Sequence, residues 1–180
     1  RIDSVLRERS VQYDYFMSLE KFHTHSKLSK NKENTMTYQN ILVPVDGSET
    51  ALNVVKHAAE LAKAFNSKVT VVQVMTLDPY IAAEYISHGQ SNMLIERARG
   101  FIQDNINSAK QQFLDEGLNV ETRVLEGENI ARTIAQAVND LKIDLVILSS
   151  HGRTGIQKLI MGSVAQSLLT ELQIPVLVIK

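Results

Sequence analysis

The chain of 180 residues has no cysteine, no tryptophan and only three prolines. Without cysteine there is no disulfide, no thiolate nucleophile and no cysteine-ligated zinc or iron–sulfur centre, a composition that fits a reducing compartment. Charge of one sign is lacking too: 19 Lys and Arg face 20 Asp and Glu, a formal net charge of −1. Such a chain has no whole-molecule field to draw in DNA or an acidic membrane, so nucleic acid is not an expected partner. Long apolar runs are absent as well. None approaches the roughly 18 residues of a membrane span, and no basic start followed by an apolar core marks a secretory signal. The expectation is a cytoplasmic protein with no membrane attachment. With 44% hydrophobic and 22% charged residues, the composition suits one globular domain, and the length is short for two.

Residues 1–35 differ from the rest. They contain no Gly or Pro and hold seven Lys or Arg against five Asp or Glu, leaving 12 against 15 for residues 36–180. Their apolar residues are scattered, and Lys27 to Asn34 is polar except for Leu28. The expectation is an N-terminal tail, disordered or partly helical at best, or a segment upstream of a true start at Met36. His23 and His25 lack acidic neighbours at ligand spacing and read as solvated.

From Tyr38 onward the pattern is regular. Ile41 to Val45 is a short apolar run of the kind found in a central parallel strand, and Pro44 marks its end. Asp46 and Ser48 follow as candidate helix caps. Val55, Ala59, Ala62 and Phe65 recur at helical spacing, and Val69 to Val74 is β-branched enough for a second strand. Thr76 to Gln90, with Pro79 and Gly89, has no clear period and reads as a long crossover. Ile95, Ala98, Ile102, Ile106, Ala109 and Phe113 then mark a long amphipathic helix stopped by Gly117. Alternation in Asn119 to Leu125 predicts a strand near the sheet edge, and Ile130, Ile134, Val138 and Leu141 the next helix. Asp144 to Ser149, a helix from about Ser163 to Leu172, and a last strand Pro175 to Lys180 complete the series. Strands alternating with helices across long crossovers imply an α/β fold with a parallel sheet and helices on both faces. Ligands of such folds bind beyond the carboxyl ends of the strands, where the winding reverses.

One stretch carries more than architecture. Asp144 to Val164 reads DLVILSSHGRTGIQKLIMGSV, a buried strand opening into a loop with Gly152, Gly155, Gly162 and Ser163. Glycine lets backbone N–H groups approach an anion, and a helix starting near Ser163 aims its positive dipole end at the same place. The spacing alone fits both a phosphate cradle and a plain turn. Arg153 and Lys158 offer cations from the same loop. His151 has no sequence partner to orient it, and Ser163 lacks the surroundings of a nucleophile elbow, so no hydrolase is assigned.

ILVPVDGSETA near the start, SSHGRTG with LIMGSVAQSLL, and the terminal IPVLVIK together resemble the universal stress protein family, over residues 38 to 180. The resemblance implies a Rossmann-like sheet of five parallel strands in the order 3-2-1-4-5. The family has ATP-binding and non-binding members, and its nucleotide motif is Gly, two residues, Gly, nine residues, Gly, then Ser or Thr. Gly152, Gly162 and Ser163 fit the motif, whereas Ser149 stands where its first glycine should be. A need for positive φ there would make serine cost roughly 1–2 kcal/mol; its hydroxyl, in turn, is available to donate to a phosphate. In binding members the equivalent of Asp46 lies at the nucleotide and that of Val74 beside the adenine; read from the residues alone, Asp46 is equally a helix cap and Val74 a core residue.

The expected nucleotide-binding set is therefore Pro44, Val45, Asp46, Val74, Ser149, Gly152, Arg153, Gly155, Gly162, Ser163 and Val164, with ATP and Mg²⁺ as ligand and no catalytic residues. The expected function is a nucleotide-binding regulatory protein of the stress response, not an enzyme beyond slow ATP hydrolysis; the alternative is a nucleotide-free dimeric interaction module of the same fold. The apolar last strand, Pro175 to Lys180, is expected to pair two copies into a homodimer.

Overall fold

A computed structural model describes residues 38–48, 50–76, 91–152 and 161–180, all within one compact unit, Tyr38–Lys180. The tail over residues 1–35 and the crossover over residues 77–90 lie outside the described residues. The chain runs β1 (Asn40–Pro44), α1 (Thr50–Phe65), β2 (Lys68–Met75), α2 (Ser91–Asp115), β3 (Glu121–Glu126), α3 (Ile130–Asp140), β4 (Leu145–Ser149), α4 (Ser163–Glu171) and β5 (Val176–Ile179). The five strands pair in parallel, as their alternation with helices predicts, and in the order β3-β2-β1-β4-β5 that the family resemblance implies. The winding therefore reverses between β1 and β4.

Successive side chains of a strand point to opposite faces, and this splits the core in two. Ile41, Val43 and Val45 of β1 and its extension pack with Val71, Leu145 and Ile147 against α1 and α2, where Phe113 and Ile106 are fully buried. Leu42, Val72, Val146 and Leu148 face α3 and α4 with Ile134 and Leu168. Because the central strands are covered on both sides, they read as largely apolar runs. Each large side chain so buried contributes about 1.5–3 kcal/mol.

Two expected helix faces are corrected. On α2, Ala98 is exposed and Ile95 only half-buried, whereas Ile102, Ile106, Ala109 and Phe113 are buried. A helix of 25 residues spans about 37 Å at 1.5 Å per residue, longer than the eight-residue β2 beneath it, so its first turns overrun the sheet. On α3, Ile130 is exposed and the buried face is Ala131, Ile134, Ala137 and Val138. Asn129 caps this helix by accepting the Arg132 N–H at 3.0 Å, which turns its first residue outward.

The strand starts are clamped at the opposite end of the sheet from the specialised loops. Asp144 accepts the Gln39 N–H at 2.8 Å and the Asn40 N–H at 3.0 Å, and its own N–H donates to the Asn40 carbonyl at 3.0 Å. That clamp sets the register Ile41 to Leu145 and Leu42 to Val146. Consequently β1 and β4 end side by side.

Candidate functional site

Beyond those two strand ends the loops meet. Val45 continues the β1 line, its N–H donating to the Val72 carbonyl at 2.8 Å, and Pro44 before it is half-buried. Asp46 then turns the chain: its Oδ1 accepts the Ser48 N–H at 2.9 Å, and Gly47 takes φ +79°, a conformation that glycine adopts at little cost. The Asp46 carboxylate thus closes a tight turn ahead of α1. From the other side, Gly152 comes so close that a Cβ built on it would lie 2.9 Å from Asp46 Oδ2. The crevice between the β1 and β4 loops is lined by a carboxylate on one wall and bare backbone on the other.

The β4 loop is fastened at several points. Ser150 is buried; its N–H donates to the Ile179 carbonyl at 2.7 Å, and its carbonyl accepts the Gly162 N–H at 2.8 Å. This second bond pulls the start of α4 back over the end of β4. Gly162 is the N-cap residue, with φ −61° and ψ 150° and no side-chain capping bond. The first intrahelical bond at this end is Gln166 N–H to the Gly162 carbonyl, 3.1 Å. The N–H groups of Ser163, Val164 and Ala165 precede that bond and point out of the positive end of the helix, which favours an anion there.

Ser149 is free of left-handed backbone strain and is hydrogen-bonded within the loop. The positive-φ residues among those described are Asn66, Lys142, Gly47 and Gly117, so position 149 imposes no left-handed strain on serine. Its Oγ donates to the His151 carbonyl at 2.5 Å, a bond within the loop. His151 does have a partner to orient it: Ser150 Oγ lies 2.8 Å from its Nδ1. Ser150, only 2% exposed, is placed to position the ring and not to attack a substrate.

Val74 is half-buried and packs toward the α3 and α4 core near the end of β2. Arg153, Gly155 and Lys158 lie outside the described residues. The structure therefore gathers Pro44, Val45, Asp46, Ser149, Gly152, Gly162, Ser163 and Val164 around the ends of β1 and β4, with Val74 on the neighbouring strand. Three residues that sequence reasoning passed over sit at this end as well. Ser150 shapes the loop. Gln73, buried on the α1 and α2 face, and Asn105, on α2 against Gly47, each hold a buried amide atom with no hydrogen-bond partner among the described residues. A polar residue inside the apolar run KVTVVQVM was the available signal for Gln73, and an asparagine three residues after Ile102 on the packed helix face was that for Asn105.

Among the described residues no group of three or more His, Cys, Asp or Glu is placed to hold a metal ion by itself, and no helix is long and apolar enough to cross a membrane. A divalent ion here would have the Asp46 carboxylate from the protein and would need its other oxygens from a ligand and water.

A sequence model of the universal stress protein family matches residues 37–180. Universal stress protein MJ0531 of Methanocaldococcus jannaschii is 29% identical over 160 residues, 89% of this chain and 91% of its own length. Among solved structures, that of the hypothetical protein MJ0577 superposes with a TM-score of 0.69 at 26% identity, over 81% of this chain and 97% of the other. The universal stress protein of Archaeoglobus fulgidus in complex with dAMP has a TM-score of 0.58 at 23% identity, over 81% of this chain and all of the other, a likeness of fold.

Proposed function

Because the chain belongs to the universal stress protein family, we propose that it is a nucleotide-binding regulatory protein of that family, with ATP as the ligand. One observation carries the reading: at the reversal point of the sheet, the Asp46 carboxylate and the bare backbone of Gly152 face each other beside the uncapped start of α4. Each part suits one part of a nucleotide. The N–H groups of Ser163, Val164 and Ala165 donate to phosphate oxygens, and Arg153 and Gly155, close to Gly152 in sequence, belong to the same proposed set. Asp46 accepts ribose hydroxyls or meets a Mg²⁺ carried by the phosphates, and Pro44, Val45 and Val74 offer apolar surface to the base. The Archaeoglobus relative was solved with an adenine nucleotide, which supports the ligand class.

The chain is read as a binder whose occupancy alters partner choice, with no catalytic turnover beyond slow hydrolysis. Two copies pair through β5 into a homodimer. The Val146 N–H donates to the Pro175 carbonyl and the Ser150 N–H to the Ile179 carbonyl, so the alternate residues Val176 and Val178 turn their N–H and C=O groups to the open edge. Ser149 favours a second reading, a dimeric module without nucleotide, because it adds a side chain where the family motif has glycine.

A thermal melt separates the two. ATP with Mg²⁺ at about 100 times its Kd is expected to add about 2.7 kcal/mol of stability, and Gly162→Val to remove that shift while leaving a cooperative melt. No shift at millimolar ATP would leave the nucleotide-free module as the function.

A further inference from the structure

Asn105 lies on α2, outside the crevice, yet its side chain sits against the turn that carries Asp46. A Cβ built on Gly47 would fall 2.5 Å from Asn105 Nδ2, 2.6 Å from its Cγ and 2.7 Å from its Oδ1, so the flat amide covers the Gly47 Cα with no space between. Gly47 stands between the carboxylate of Asp46 and the Ser48 N–H that this carboxylate accepts. Any sideways movement of the amide therefore moves the turn. The second observation is chemical. Among the described residues Asn105 Nδ2 is buried and has no acceptor, although a packing role alone would be filled at less cost by leucine or methionine.

We propose that Asn105 is a positioning residue of the nucleotide site, acting through Gly47 on Asp46, and that its amide gains an acceptor when ligand draws the Asp46 turn inward. The proposal rests on the nucleotide reading given above. A ligand bound at Asp46 then repays a buried donor on a neighbouring helix, and site occupancy is felt by α2.

The test uses the full chain labelled with ¹⁵N. Saturation with ATP and Mg²⁺ is expected to shift the Asn105 side-chain amide signal and slow its exchange with solvent. Asn105→Leu, which keeps the volume and removes the donor, is expected to weaken ATP about tenfold. In an Asp46→Ala background the same change is expected to have no further effect, since the route through Asp46 is gone. An Asn105 signal unmoved by saturating ATP, or an Asn105→Leu chain that binds as the parent does, overturns the proposal. Asn105→Ser stands in if the leucine variant does not fold. A parent that binds no ATP defeats the nucleotide reading, and Asn105 is then judged on the ligand-free turn: faster amide exchange at Ser48 in the variant supports its hold on the turn, and unchanged exchange refutes it.

Discussion

Gly152→Ala tests whether Asp46 and the β4 loop form one site. Gly152 does not occupy the left-handed region, so alanine meets no backbone strain there. The new methyl carbon would instead lie 2.9 Å from Asp46 Oδ2, inside ordinary carbon–oxygen contact. Asp46 is a short side chain and its other oxygen holds the Ser48 N–H, so the carboxylate cannot swing aside without loosening that bond. A hydrogen bond to a charged group contributes about 1.5–3 kcal/mol. Asp46 is half-buried, so water replaces part of it and the expected net loss at the site is about 1–2 kcal/mol. That corresponds to roughly 5–30-fold in ATP affinity. The domain itself, with its core untouched, loses no more than that bond and should melt within about 8 °C of the parent. Isothermal titration with ATP and Mg²⁺ beside a thermal melt reads both quantities. A Gly152→Ala chain that binds within about twofold of the parent would show that the carboxylate and the loop do not act on one ligand.

Gly162→Asp places a capping carboxylate at the start of α4, so the ligand-free domain should gain a few tenths to about 1 kcal/mol of stability, while the ATP-induced shift in melting point disappears. Asp144→Ala removes two charge-assisted bonds from the start of β1 and should cost about 1–3 kcal/mol in denaturant unfolding, part of it spared because the Gln39 end is exposed. Gly100→Ala, at a helical position with nothing within 4 Å of the added carbon, should stabilise by about 0.5–1 kcal/mol; a loss would mean that the α2 backbone departs from helix there. Val178→Pro deletes an N–H that faces the open edge while sparing the bonds to β4, so sedimentation should show monomer where the parent is a dimer.

Much of the fold was legible because burial writes itself into composition. Strands covered on both faces are apolar at most positions, so β1, β2 and β4 announced themselves as short runs, and the helices covering them by three- and four-residue spacing. The edge place of β3 showed in its alternation, since one face of an edge strand meets water. Helix ends were less legible. Ala98 and Ile130 continue the apolar period of their helices but lie where the helix has run past the sheet or turned at its cap, and periodicity holds no information about the length of the neighbour.

The site divides in the same way. Glycines 152 and 162 and the turn at Asp46 were visible in the sequence as residue types suited to a close backbone approach, and family resemblance gave them a ligand. Only the tertiary structure decided what each glycine is for: Gly152 makes room for a carboxylate 106 positions away, and neither it nor Gly162 is there for positive φ. The same holds for Ser149, whose hydroxyl is turned onto the His151 carbonyl, and for Asn105, whose amide lies on Gly47. A contact between distant residues depends on how strands are ordered and helices laid across them. Local spacing records which face a residue takes, and the packed chain alone determines what that face meets.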